Sequence, residues 1–316
     1  MKVITFQAIK ALELSPACCY QWAAGMIAEK PSAILPPKIS MKPAEGVFCN
    51  VMPGIFSSGG ESWGGVKLVT RYPGRSPSLD SKLLLFDAAT GECRALMDAN
   101  WITAMRTGAV AAHSVLLFAK PGFSRLGIMG LGNTARAALL VLAAMLPEKE
   151  LDIALLRYKG QEQLFAGRFS SCPNLHFSYV DTPEELAAGR EVVLSAVTYV
   201  GEDICPDSCF EEGVLVVPIH TRGFTNCDLF FDKIFADDYG HVCHFKNFSR
   251  FRAFAEVSDV VNGRKAGRES DRERILAYNI GIALHDICFA AHIYKRLENT
   301  GLPELSLEEP AEKFWI

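Results

Sequence analysis

The chain has 316 residues, 49% of them apolar and 22% charged, with a formal net charge of −4. That balance describes a folded globular protein, excludes disorder, and leaves length enough for two domains. It gives no electrostatic footprint for nucleic acid or an anionic membrane, and without a membrane-length apolar run or a signal-like start a cytoplasmic protein is expected.

Ser15-Pro16 opens a first helix, with serine as cap and proline in the first turn. Cys19, Trp22, Ala23, Met26 and Ile27 then share one helical face. Between about 34 and 97, short apolar runs (47–51, 65–69, 83–86, 94–97) alternate with Pro, Gly and Ser clusters, which predicts antiparallel strands. Asp87 to Gly91 reads as a hairpin connection. Asn100 is the predicted cap of a helix over 101–118, which ends at Lys120-Pro121-Gly122. From there strand-like runs (126–129, 152–157, 176–180, 191–197, 213–219, 233–236) alternate with helical stretches, the rhythm of a doubly wound parallel sheet. A last helix, capped by Asn279 and running to about 297, is apolar almost all round and so predicted to be buried.

The expected fold is therefore α/β. A Rossmann-type dinucleotide-binding domain over 122–271 is joined by an α+β domain, with an antiparallel sheet, built from 1–121 and 272–316. Ten scattered cysteines read as small buried hydrophobes. The closest groupings, Cys205 with Cys209 and His241-Val242-Cys243-His244, lack a second pair at zinc spacing, so no metal is expected.

Gly130-Leu131-Gly132-Asn133-Thr134-Ala135 is a GxGxxA turn between an apolar strand and an apolar helix. The first glycine makes the turn, the second lets a pyrophosphate approach the backbone, and the small third residue seats the helix. Phosphates then meet the free amides and positive dipole end of that helix. Gly130, Gly132, Asn133 and Thr134 are the expected cofactor contacts. The next strand ends in Arg157-Tyr158-Lys159, where an NAD site would carry an acid for the ribose 2′-hydroxyl. Two cations, Arg157 and Lys159, suit a 2′-phosphate, so NADP(H) is expected. Ser195, Ala196 and Val197, ending a later strand, are placed to border the nicotinamide.

Gly65-Val66-Lys67, the run Leu84 to Gly91, Leu96-Met97-Asp98 and Thr103-Ala104-Met105-Arg106-Thr107-Gly108-Ala109 follow one another ahead of that turn. With Met52-Pro53, Gly263 to Arg268 and Asn279-Ile280-Gly281, they make a chain that resembles the ornithine cyclodeaminase/mu-crystallin family from about 34 to 300. The resemblance implies a homodimer formed through the N-terminal sheet, and NAD(P)-linked chemistry at the carbon–nitrogen bond of an amino acid, imine or 2-oxo acid. It assigns Lys67 and Arg106 to the substrate carboxylate, Lys38 to an upstream carboxylate contact, and Thr107 to the cofactor. A cationic clamp on an α-carboxylate, with Cα facing the nicotinamide, is the chemistry such residues serve.

One departure matters. The resemblance places Arg222 where cyclodeaminases carry a catalytic aspartate, and arginine cannot accept a proton. Ornithine cyclisation is not expected. Arg222 would instead face a second acid group, with His220 the nearby candidate for acid–base work. The alternative reading is an NADP-dependent ligand-binding protein with little catalysis, a use that mu-crystallin shows the scaffold can serve.

Overall fold

The computed structural model describes residues 1–197, 204–219 and 227–307. It begins with β1 (Lys2–Ile4), α1 (Phe6–Lys10) and α2 (Pro16–Glu29), followed by β2 (Ile39–Met41), β3 (Phe48–Ser58), β4 (Glu61–Arg71), β5 (Leu79–Asp87), β6 (Cys93–Asp98) and α3 (Asn100–Phe118). The strands form one six-stranded sheet in the order β1-β6-β5-β4-β3-β2, antiparallel except where β1 runs alongside β6. Strands β3 and β4 meet at a two-residue hairpin, Gly59-Gly60, both with positive φ (60° and 82°). Glycine takes that turn without strain, and its twist matches the strands.

The second half contributes β7 (Arg125–Met129), α4 (Asn133–Met145), β8 (Leu151–Leu156), α5 (Gln161–Gly167), β9 (Leu175–Val180), α6 (Pro183–Ala187), β10 (Val192–Ser195), β11 (Leu215–Pro218), β12 (Lys233–Ala236), α7 (Tyr239–Val242), β13 (Phe254–Glu256), α8 (Val257–Val261), β14 (Ile275–Tyr278) and α9 (Ala283–Leu297). Its eight strands are all parallel, ordered β13-β12-β14-β11-β10-β7-β8-β9. The chain runs outward from β7 through β9, then returns to β10 on the other side of β7. That reversal opens a crevice between the ends of β7 and β10. The expected fold class, a Rossmann-type sheet with a second α+β domain, is the one observed.

Helix α3 packs against both sheets, α9 against the six-stranded sheet, and α2 against α3 and α9. Helix α9 lies directly on the six-stranded sheet at two glycines: a Cβ on Gly54 would sit 3.2 Å from Ile287 Cδ1, and one on Gly65 3.0 Å from Ile287 Cγ1. Helix α3 approaches α4 just as closely, since a Cβ on Gly108 would lie 2.5 Å from the Ala137 backbone. These contacts set the α9 face against β3 and β4 and the α3 face against α4. Among the described residues no helix is long and apolar enough to cross a membrane.

Two expected caps are corrected. Asn100 is the first residue of α3, and its side chain bonds Asp80, Asp98 and the Ser81 amide rather than closing its own helix. Asn279 follows β14, and α9 starts only at Ala283. The run 275–278, expected in the flanking domain, instead joins the parallel sheet, because its apolar side chains are covered on both faces.

Candidate active site

Gly130 takes φ +77°, and a Cβ there would lie 2.4 Å from the backbone of Ala196 and Val197. Only glycine lets β7 turn this tightly against the end of β10. Gly132 is different: its φ of −82° suits any residue, and a Cβ would meet nothing within 4 Å. Open space therefore lies over the first turn of α4. The amides of Asn133, Thr134 and Ala135 have no acceptor within the helix there, and that turn has no acidic residue. This cradle fits a dinucleotide pyrophosphate.

Around the crevice the other expected cofactor residues fall as follows. Ser195 is buried at the end of β10, its carbonyl accepting from the Ile219 amide at 2.7 Å, and Ala196 and Val197 continue toward Gly130. Thr107 donates its hydroxyl proton to Thr103 O at 2.6 Å, which leaves its lone pairs as acceptors only. Arg157, 45% exposed just past β8, stands 3.1 Å from Asp181 and 3.9 Å from Glu162, with its guanidinium 5.3 Å from the Tyr179 ring centre. Lys159 lies over Tyr158, 5.1 Å from the ring centre.

The predicted carboxylate ligands converge. Lys67, from the middle of β4, is fully buried, its Nζ 2.8 Å from Asp286 Oδ1 on α9. Arg106 Nε, from the first turns of α3, reaches the same oxygen at 2.9 Å. Lys38, just before β2, donates its Nζ to Ile280 O at 3.0 Å. Asp237, buried at the end of β12, accepts from the Gly281 amide at 2.7 Å. Lys67 and Arg106 thus share one carboxylate, and Lys38 feels Asp237 and Asp286 only through space. Lys67 Nζ, Asp286 Oδ2 and Asp237 Oδ1 are all buried without a well-directed hydrogen bond, so the cluster retains unused polar capacity.

Burial dominates the electrostatics here. It pushes the Lys67 ammonium down to about 7; Arg106 adds to the effect and Asp286 opposes it. Lys38 is lowered to about 8, again by burial first, with Arg106 lowering it further and Asp237 and Asp286 pulling it back. Burial also raises the Asp237 carboxyl. His285, next to Asp286, is driven to about 3 by burial and then Arg106, so it stays neutral and adds no charge. An entering carboxylate would supply the missing negative charge.

Sequence reasoning missed Asp286 and Asp237. The signal for Asp286 was present: a lone acid that, His285 aside, has only apolar neighbours in the first turns of its helix must be paired. Asp237 gave no such signal, since Asp237-Asp238 after a short strand reads equally as a capping pair. His220 and Arg222 lie outside the described residues.

A family model described as ornithine cyclodeaminase/mu-crystallin family matches residues 5–301. A Delta(1)-pyrroline-2-carboxylate reductase from Bacillus cereus is 24% identical over 260 residues, covering 75% of this chain and 78% of its own. Among solved structures, the Thermococcus litoralis Delta(1)-pyrroline-2-carboxylate reductase, in complex with NADH and L-proline, superposes with a TM-score of 0.82 at 21% identity, over 97% of this chain and all of that one. An archaeal alanine dehydrogenase dimer with bound NAD gives 0.85 at 21% identity, over 98% and 99%. At such identities the structural likeness speaks for the fold.

Proposed function

The chain belongs to the ornithine cyclodeaminase/mu-crystallin family, and from that premise we propose that it is a nicotinamide-dependent oxidoreductase acting on the carbon–nitrogen bond of an amino acid or imine. The observation that carries the reading is the meeting of Lys38, Lys67 and Arg106 around too few carboxylates. A bound nicotinamide dinucleotide supplies the hydride, or takes it in the reverse direction. Arg106 grips the substrate carboxylate with its planar fork, and Lys38 adds a point charge. Reduction of C=N consumes one proton at nitrogen, and Lys67 Nζ, which titrates near neutrality, is the group we assign to give it. His220 and Arg222 remain proposed site residues, the first as a second proton carrier, the second as an anchor for a further acid group. With arginine at 222, L-ornithine should not be converted to proline.

The test follows absorbance of the reduced nicotinamide with Delta(1)-pyrroline-2-carboxylate and with 2-oxo acids plus amines. Gly132→Asp is the matched control. The space beside Gly132 admits the side chain, so the fold should be unchanged, while its carboxylate occupies and repels the pyrophosphate. Nucleotide affinity should fall about 100-fold or more. Oxidation at the wild-type rate in that variant would refute the cofactor site.

We assign NADP(H) as the preferred cofactor on the strength of Arg157. Its partner Asp181 is exposed and free to swing aside when a 2′-phosphate arrives. Arg157→Ala should weaken NADPH binding about 10- to 100-fold while leaving NADH nearly unchanged. Equal losses for both nucleotides would favour a stacking role instead.

The proposal extends to a homodimer. The solvent face of the six-stranded sheet carries Val66, Leu68 and Leu96, each more than a third exposed, beside Phe86, whose ring covers Gly64. A contiguous apolar sheet face of this kind is a subunit contact. Sedimentation velocity of Leu68→Asp should show monomer where the wild type shows dimer.

A further inference from the structure

We propose that His241 is a positioning residue for Lys38, its Nε2 lone pair fixing the backbone of the segment that carries the Lys38 ammonium. The Lys38 amide donates to His241 Nε2 at 3.2 Å. His241 Nδ1 lies 2.6 Å from Asp238 Oδ2, and a carboxylate there keeps the proton on Nδ1 and leaves Nε2 as acceptor. Asp238 is itself fixed by Lys30 Nζ at 2.9 Å, which also binds Glu256 at 2.6 Å, and Glu256 accepts from the Tyr239 amide at 2.6 Å. The imidazole therefore has one orientation.

The contact spans the seam between the domains. Lys67 and Arg106 come from β4 and α3, whereas both fastenings of Lys38, His241 at the backbone and Ile280 O at Nζ, belong to the side of the parallel sheet. The turn of α7 abuts Pro37, since a Cβ on Gly240 would lie 3.3 Å from its Cγ. Pro36 and Pro37 stiffen the approach, so securing one amide sets the direction of the next side chain. The charged groups around His241 are Asp238, Asp237, Lys30, Glu256 and Lys38. Protonation of the ring would turn Nε2 into a donor facing a donor and release the segment. His241-Val242-Cys243-His244 thus has a use that requires no metal.

The kinetic part rests on Lys38 being a carboxylate ligand, while the backbone part does not. In His241→Phe, hydrogen exchange at the Lys38 amide should quicken about tenfold. Mass spectrometry of a peptide spanning 36–41, whose two prolines carry no amide hydrogen, reads it once fragmentation separates the Lys38 amide from those of Ile39, Ser40 and Met41. KM for Delta(1)-pyrroline-2-carboxylate should rise about as much, with kcat changed by less than about twofold. His241→Gln, whose side-chain carbonyl can accept the same bond, should restore both. His241→Asn, polar but too short, should behave as the phenylalanine variant. Unchanged exchange in the Phe and Asn variants overturns the clamp, and quickened exchange with unchanged KM overturns the positioning role. A wild-type protein that turns over no imine sinks the functional proposal instead, and the exchange result still decides the clamp.

Discussion

Asp286→Ala should lower the free energy of unfolding by about 3–5 kcal/mol, read from urea titration, because it leaves two buried cations facing each other without a counter-charge. Lys67 and Arg106 meet Asp286 through the same oxygen, at 2.8 and 2.9 Å, and water reaches none of the three to any extent. The two cations differ in their means of escape. Lys67, already lowered to about 7, can shed its proton and become a neutral amine. Arg106 cannot, so most of the cost falls on the guanidinium. It follows that Asp286→Ala combined with Lys67→Met should recover only part of the loss, and that Asp286→Asn, which keeps the shape, should still be strongly destabilised. The Asp286–Lys67 coupling, extracted from the double-mutant cycle, should be about 1–3 kcal/mol. A wild-type urea midpoint for Asp286→Ala would mean that solvent enters the cluster and that the electrostatic account of the site is wrong.

What could be read from the residues was whatever obeys local rules. The turn at Gly130 needs positive φ and close approach to another strand, and glycine at 130 and 132 with a small Ala135 announces that geometry. The alternation of Val66, Lys67 and Leu68 placed Lys67 on one face of a strand. Which face is inward depends on α9, more than 200 residues later, and only the packed structure reveals it. The same distance hid which cations Asp286 would pair with. The caps failed for a related reason: Asn100 and Asn279 look like N-caps by type, but tertiary partners, Asp80 and Ser81 for the first and Ser114 for the second, outcompete the local helix ends. Strand β14 was missed because four apolar residues beside an apolar helix carry no period that separates the two.

Affinity for an unreactive acid should fall as pH rises through the cluster's two lysines. Pyrrole-2-carboxylate is a suitable probe: it has no transferable hydrogen at the carbon bearing the carboxylate, and its ring nitrogen does not titrate near neutrality, so the pH dependence belongs to the protein. Below about 7 all three cations are charged and binding is tightest. Above about 7 Lys67 becomes neutral in the free protein, and above about 8 Lys38 follows, while Arg106 remains charged throughout. A bound carboxylate stabilises both ammonium forms, so over this range each binding event must draw protons from solution, and affinity declines along two successive limbs. Each charge-assisted contact contributes about 1.5–3 kcal/mol and the two limbs multiply, so the fall between pH 6 and 9 should reach about 50- to 500-fold. Lys67→Met should bind more weakly at pH 6 and lose the first limb while keeping the second. Arg106→Leu should bind more weakly at every pH, because the cation that stays charged throughout is gone, and both limbs should move to higher pH, because Arg106 is one of the charges that lowers the two lysines. Calorimetry in buffers of different ionisation enthalpy counts the protons directly: near pH 8 the wild type should take up a proton on binding, and Lys67→Met should take up measurably less. A flat affinity from pH 6 to 9 would show that the lysines stay charged or never touch the acid, and either result removes the cationic clamp from the mechanism.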